Sequence, residues 1–209
     1  MTNKGLFLSL DGLDGAGKST QCDLLARWLL SQSYSVTQCI DPGGTEVGQH
    51  IRKLLLNETH ELSLTCEMLL FMASRAQLTD DVIKPALDAG QVVISDRYLL
   101  ANIVYQGYAG GLDPEQLRTV GAIATSGLQP DLTFVLDLPL ADAVKRRKQT
   151  ADRMERRDDD YHERVRQGFL TEAKRQPERM IVVDANRPED AIQADIRTHF
   201  TSYLERTRE

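Results

Sequence analysis

The sequence predicts an α/β fold, a five-stranded parallel sheet flanked by helices on both faces. Two observations carry this. Five short apolar runs, Leu6–Leu10, Val36–Ile40, Val92–Ile94, Leu132–Leu138 and Met180–Val183, are rich in Val, Ile and Leu and are separated by helical segments. Strands covered on both faces read as such unbroken runs. The first run leads straight into Gly12-Leu13-Asp14-Gly15-Ala16-Gly17-Lys18-Ser19, a full match to G-x-x-x-x-G-K-[ST]. A strand, a glycine-rich turn and a helix start in that order make a P-loop and narrow the class to the P-loop NTPase fold.

The elements follow in chain order. Leu6–Leu10 is the first strand, and Thr20 to Leu30 has helical periodicity, with Leu24, Leu25, Trp28 and Leu29 on one face. Val36–Ile40 is the second strand. It runs into Asp41-Pro42-Gly43-Gly44-Thr45, either a plain turn or a place where backbone approaches a ligand closely. Phe71 and Arg75 lie four residues apart and project from one helix face. Pro85 to Gly90 ends a helix before the strand Val92–Ile94, which Ser95-Asp96-Arg97-Tyr98 leaves. Asn102, Tyr105 and Gln106 share one helix side; the pattern fits an ordinary amphipathic helix or a wall of polar tips suited to a sugar and base. The last two strands follow Gln129-Pro130-Asp131 and Gln176-Pro177. Between them Lys145 to Arg157 concentrates Lys145, Arg146, Arg147, Lys148, Arg153, Arg156 and Arg157 before the acidic Asp158-Asp159-Asp160.

Ligands of open parallel sheets bind at the carboxyl ends of the strands, so those positions carry the chemistry. In the P-loop, backbone N–H groups and the helix dipole cradle a phosphate chain from Gly12 through Thr20. Lys18 reaches the β- and γ-phosphates and the Ser19 hydroxyl ligates Mg²⁺. Asp14 has no packing reason to be acidic; it helps hold Mg²⁺ or its water, or it caps the turn. Asp11, at the end of the first strand, is less informative. Asp96 stands where such proteins place a second Mg²⁺ contact, and Arg97 beside it suits a bidentate grip on phosphate. The basic run is a solvated helix face with pairs such as Asp152 with Arg156, or countercharge for phosphates; beside a P-loop the second reading is favoured.

Composition sets the bounds. A chain of 209 residues suits one domain, residues 1–209, with a sizeable core. The net charge of −6 argues against nonspecific nucleic-acid binding. No stretch is long and apolar enough for a membrane helix, and the N-terminus enters a strand directly, so a cytoplasmic protein without a signal peptide is expected. Cys22, Cys39 and Cys66 have neither metal nor disulfide spacing and read as reduced thiols.

Taken together, Asp11 to Thr20, Asp41 to Thr45, Leu70-Phe-Met-Ala-Ser-Arg-Ala76, Asp96-Arg-Tyr98, Tyr105-Gln-Gly107, Asp152-Arg-Met-Glu155 and the stretch from Tyr161-His162 to Val183-Asp184-Ala185 resemble the thymidylate kinase family, in order and over nearly the whole chain. The resemblance implies transfer of the γ-phosphoryl of ATP to dTMP, giving dTDP and ADP, with Mg²⁺, within a homodimer. It implies that Phe71 stacks on thymine, that Arg75 contacts the base and that Arg97 binds the dTMP phosphate with Arg52 nearby. Asn102 and Gln106 face the base, Tyr105 packs near the sugar, and Asp41-Pro42 belongs to the substrate loop. Residues from about 145 to 160 become a short lid over ATP, with Arg146 against adenine and Arg153 reaching the transferring group. Catalysis is then expected from Lys18, Arg97, Arg153 and Asp14, with Ser19, Asp96 and Asp14 toward the metal.

Three positions depart from the family's pattern. Asp41 replaces Glu and is one methylene shorter, so its contact with the substrate loop becomes indirect. Gly110 stands where many bacterial members carry Arg. Ala101-Asn102 lacks the frequent Ser. Leu13, Asp14, Gly15 and Ala16 supply no cation, so extra charge must come from the lid, from Arg153 first and Arg147 second. The competing readings are a P-loop kinase for another nucleoside monophosphate and a nucleotide-binding switch protein. Phe71, Arg75 and Tyr105-Gln106 disfavour the former, and the lack of Asn-Lys-x-Asp disfavours the latter.

Overall fold

The structure, a computed structural model, describes residues 5–56, 61–146, 153–154 and 156–208. Five strands, β1 (Leu6–Gly12), β2 (Val36–Ile40), β3 (Val92–Asp96), β4 (Leu132–Asp137) and β5 (Met180–Asp184), form one sheet. All its pairings are parallel, in the order β2-β3-β1-β4-β5. Each expected strand is present. The third extends two residues beyond the apolar run because Ser95 and Asp96 still pair with Ser9 and Leu10 of β1, where burial and the ladder outweigh their polarity.

Period-two alternation sends successive β1 side chains to opposite faces. Leu8 and Leu10 join a core with Leu25 and Leu29 of α1 (Lys18–Ser31) and Ile196 and Phe200 of α9 (Glu189–Arg208). Phe7 turns the other way, against Leu78, Ile83, Val93 and Tyr98, with its ring 4.9 Å from that of Tyr98. On that face Ser9 Oγ and Thr133 Oγ1 satisfy each other at 2.9 Å in the middle of the sheet. The buried stripe of α1 is Lys18, Gln21, Cys22, Leu25, Ala26 and Leu29. It sits one step around the helix from the expected face: Leu24 and Trp28 are half-buried at its edge. Trp28 there meets Phe200 edge-on at 6.0 Å, a contact that depends on α9 docking.

The remaining helices place the walls of the site. α2 (Glu46–Leu56) packs on α3 (Leu64–Leu78), which Ser63 caps by accepting from Cys66 N at 3.2 Å. A π-helical turn over Thr79–Ile83 links α3 to α4 (Lys84–Asp88). The chain after β3 forms a short α5 (Leu99–Asn102) and then a π-helical stretch over Ile103–Ala109. This wide turn is invisible to apolar periodicity and is common at functional sites. α6 (Pro114–Thr125) starts with Asp113 as cap and Pro at its first position; α7 (Leu140–Arg146) follows β4, and α8 (Asp159–Arg175) is capped by Asp158. Residues 147–152 and 155 lie outside the described residues, and with them Arg147, the Asp152–Arg156 pair and the middle of the expected lid. Among the described residues no helix is long and apolar enough to cross a membrane, and Cys22, Cys39 and Cys66 are free thiols.

Asp11, near the end of β1, is fully buried, and neither of its oxygens has a hydrogen-bond partner. Burial pushes its carboxyl up to about 7, against the pull of Arg97 and Lys18. The folded protein therefore holds a proton there that the unfolded chain loses near pH 3.8. Stability relative to a neutral side chain falls as pH rises through that window. Asp11→Asn is expected to be more stable than the parent in denaturant titrations of the ligand-free protein. The gap should widen from about pH 4 to about pH 7 and reach the order of a few kcal/mol; a pH-independent difference would contradict the buried-carboxyl account.

Candidate active site

The carboxyl ends of the strands open into one cleft of ≈ 800 Å³. Asp14 through Thr20, Asp41, Pro42, Arg52, Phe71, Arg75, Asp96, Arg97, Asn102, Tyr105, Gln106 and Arg146 all line it.

At one end lies the P-loop. Gly12 (φ 141°) is pressed against β4: a Cβ there would stand 2.5 Å from the Leu136 carbonyl oxygen. Gly15 (φ 90°) is pressed in the same way against the Ala143 carbonyl of α7. Both positions need glycine for conformation and for space. Leu13, between them, and Ala16, just after, are core residues. Lys18 Nζ donates to the Leu13 and Gly12 carbonyls at 2.9 and 3.3 Å, at the centre of the loop. Burial pulls its ammonium below the usual lysine range; Asp14 and Asp96 counter that pull. Ser19 Oγ donates to Asp96 Oδ2 at 2.5 Å. A hydroxyl and a carboxylate in contact at a strand end are the hard oxygen donors that suit Mg²⁺. Arg146 donates to the Ala185 carbonyl at 3.0 Å and to Asn186 Oδ1 at 3.3 Å, beside the P-loop, where Arg187 and Ile192 complete the wall.

Arg97 joins this end to the other. Its backbone is left-handed (φ 70°), a conformation that costs free energy in a non-glycine residue. Its N–H donates to Leu10 O at 3.0 Å and its carbonyl accepts from Ser95 Oγ at 2.6 Å, which holds it there. So held, the guanidinium donates to Gly12 O (3.2 Å), Asp14 Oδ1 (2.5 Å) and Tyr105 Oη (3.1 Å), and lies 5.0 Å over the Tyr105 ring. Asp14 also accepts from Tyr105 Oη at 3.1 Å and lies 3.7 Å from Lys18 Nζ. Burial alone would raise the Asp14 carboxyl, but Arg97 and Lys18 hold it well below the usual carboxylate range. Asp14 thus orients Arg97 and the Tyr105 hydroxyl.

The other end is built on α3. Phe71 lines the cleft half-buried, while Arg75 is 1% exposed. Arg75 Nε donates to Asp41 Oδ2 (2.6 Å), Nη1 to Asn102 Oδ1 (2.9 Å) and Met72 Sδ (3.2 Å), and Nη2 to Tyr98 O (3.2 Å). A guanidinium has five N–H groups, so one Nη2 donor is left over. Asp41 is buried and holds Arg75 directly; burial raises its carboxyl against the pull of Arg75. Arg52 reaches the Pro42 carbonyl at 2.7 Å across the cis Asp41–Pro42 turn. Gly110 has no room for the arginine found elsewhere, since a Cβ would lie 2.7 Å from the Gln106 carbonyl.

Two groups escaped sequence reading. Glu67 is 1% exposed and accepts from Gln106 Nε2 at 2.8 Å and from Arg153 Nη2 at 2.5 Å. The spacing Glu67, Phe71, Arg75 repeats every four residues along one face of α3 and is the signal that points to it. Tyr161 of α8 donates its hydroxyl to the Tyr105 carbonyl at 2.9 Å and braces the π-helical stretch. Arg153 lies behind the α3 end of the cleft: beyond Glu67 its Nε donates to Leu55 O at 2.9 Å, and the neighbouring Met154 lines the cleft.

Comparison with known proteins agrees along the whole chain. A family profile described as thymidylate kinase matches residues 10–196. Thymidylate kinase from Thermoanaerobacter sp. (strain X514) is 41% identical over 202 residues, covering 96% of this chain and 100% of its own. That of Clavibacter michiganensis subsp. michiganensis (strain NCPPB 382) is 45% identical over 197 residues, 93% of each chain. The crystal structure of thymidylate kinase from Ehrlichia chaffeensis superposes with a TM-score of 0.79 at 29% identity, over 94% of this chain and 98% of that one. Likeness of this extent, on a cleft with a phosphate-binding loop at one end and an aromatic and an arginine at the other, shows that the chain belongs to the thymidylate kinase family and transfers the γ-phosphoryl group of ATP to dTMP.

Proposed function

We propose that ATP occupies the P-loop end of the cleft, that dTMP occupies the Phe71–Arg75 end, and that transfer takes place beside Arg97, within one domain spanning the chain. The observation that carries this reading is the position of Arg97, bonded at once to the P-loop through Gly12 and Asp14 and to the acceptor wall through Tyr105. Phosphoryl transfer needs two anionic groups brought into line and their charge offset. Lys18 supplies a cation from the start of α1 and Arg97 one from just past the end of β3. The dTMP phosphate is already an anionic nucleophile, so no general base is required. Ser19 and Asp96 are the residues that would hold Mg²⁺, which when bound neutralises charge on the β- and γ-phosphates. The adenine end is assigned to Arg146 beside Ile192.

Phe71 is assigned to the thymine ring, and the remaining Arg75 donor with Asn102 and Gln106 to its polar edge. Arg52 is assigned to the dTMP phosphate with Arg97, and Tyr105 to the sugar. Arg153 is the cation assigned to the transferring group: with Nε and Nη2 committed to Leu55 and Glu67, its Nη1 edge is left for an anion. A second copy of the chain is assigned to the apolar side chains exposed on α2, α3 and α6, Val47, Leu54, Leu69 and Ile123, since these helices pack in sequence, α2 on α3 and α3 on α6. A homodimer follows from that reading.

A coupled assay of ADP release with dTMP, dUMP, dGMP and dCMP tests the acceptor end, and dTMP is expected to give the highest kcat/KM. Phe71→Ala should weaken dTMP binding about 5- to 150-fold, the cost of losing one base–aromatic stack, while leaving the affinity for an ATP analogue alone; calorimetry reads both. Arg153→Ala should lower single-turnover transfer by about 10³-fold or more, as loss of an arginine at a transferring phosphoryl does. An unchanged rate would remove Arg153 from the catalytic set.

A further inference from the structure

Buried hydrogen bonds run without a break from Arg153 to Asp41. Arg153 Nη2 donates to Glu67 Oε2 at 2.5 Å, and Gln106 Nε2 donates to Glu67 Oε1 at 2.8 Å. Asn102 Nδ2 donates to Gln106 Oε1 at 2.6 Å, Arg75 Nη1 donates to Asn102 Oδ1 at 2.9 Å, and Arg75 Nε donates to Asp41 Oδ2 at 2.6 Å. The direction of every bond is forced. A carboxylate only accepts and a guanidinium only donates. Glu67 therefore turns the amino group of Gln106 toward itself, and Arg75 turns the carbonyl of Asn102 toward itself. The two amides between them have one orientation that satisfies both ends. Each amide keeps one N–H, and both residues line the cleft.

We infer that Glu67 is a positioning residue that couples the acceptor pocket to Arg153, so that dTMP and ATP bind cooperatively through it. A base that takes the remaining donors of Asn102 and Gln106 holds those amides in their forced orientation. Gln106 then holds Glu67 Oε1, and the same carboxylate aims Arg153 by its other oxygen. The inner members of the chain are buried, Glu67 and Gln106 each 1% exposed and Asn102 2%, while Arg153 at its end is partly exposed, so that end is the one a bound base can steady. If Glu67 served only to neutralise Arg153, it would need no bond to Gln106. If it served only to orient Gln106, it would need no arginine. It makes both bonds, one from each oxygen.

This inference rests on the assignments of dTMP to the Phe71–Arg75 end and of Arg153 to the transferring group, the second of which the Arg153→Ala single-turnover rate checks by itself. The test measures the affinity of a non-hydrolysable ATP analogue with Mg²⁺, with and without saturating dTMP, by calorimetry on the full chain. In the parent protein dTMP should tighten the analogue by about tenfold, within the usual range of coupling between sites. Glu67→Gln keeps the shape and removes the acceptor-only charge; it should bring that ratio close to one while the analogue's affinity without dTMP stays within about threefold of the parent. A merely structural role would move the single affinities or the folding midpoint, not the ratio alone. Where Glu67→Gln folds too poorly to titrate, Gln106→Ala is read in the same way, since it leaves the Glu67–Arg153 pair in place. A ratio near one in the parent, or a ratio in the variant within twofold of the parent's, overturns the coupling. An unchanged dTMP affinity in Phe71→Ala would instead overturn the pocket assignment, so the two failures are told apart.

Discussion

Arg97 leaves β3 in a left-handed conformation, and its guanidinium crosses to the loop after β1. The rest of the site depends on that crossing. Asp14 can sit inside a phosphate-binding loop because Arg97 and Lys18 neutralise it. Tyr105 can be buried with its hydroxyl satisfied because Asp14 and Arg97 both reach it. The strained backbone is offset locally by the Leu10 and Ser95 hydrogen bonds, so the strain sits at the junction of the two ends of the cleft. Removing the guanidinium would take from Asp14 its shortest ion pair and break the bridge between the two ends of the cleft.

Charge is handled in the same way throughout. Three largely buried arginines are each held by a carboxylate: Arg97 by Asp14, Arg75 by Asp41, Arg153 by Glu67. Buried pairs of this kind add little net stability, but loss of either partner is costly because it strands a charge. Their return is geometric, since donors and acceptors that solvent cannot disturb are preorganised for charge that develops at one place. Asp11 is the exception. It is buried without a hydrogen bond, and its carboxyl is pushed up to about 7. That cost in stability falls at the end of the central strand, next to the phosphate-binding loop.

Much of the fold and of the site could be read from residue order. Five apolar runs in an α/β rhythm determined a parallel sheet, because a strand covered on both faces has no polar side to show. Gly12, Gly15, Lys18 and Ser19 determined a phosphate cradle, because few other residues tolerate those backbone angles and contacts. The pair Phe71 and Arg75 at one helical step determined a face able to meet a base, and the ordered set of motifs pointed to dTMP as acceptor. Only the tertiary structure decided which partner each charged group takes. Asp14 pairs with Arg97, 83 residues away, Asp41 with Arg75, 34 away, and Arg153 with Glu67, 86 away. It also decided the buried stripe of α1, one step around the helix from the apolar face, and the π-helical stretch that carries Tyr105 and Gln106. The reason is the same in each case. Local periodicity and glycine geometry act over a few residues and are written in the order of the chain. Hydrogen-bond direction, ion pairing and burial act between elements that meet only when the sheet assembles.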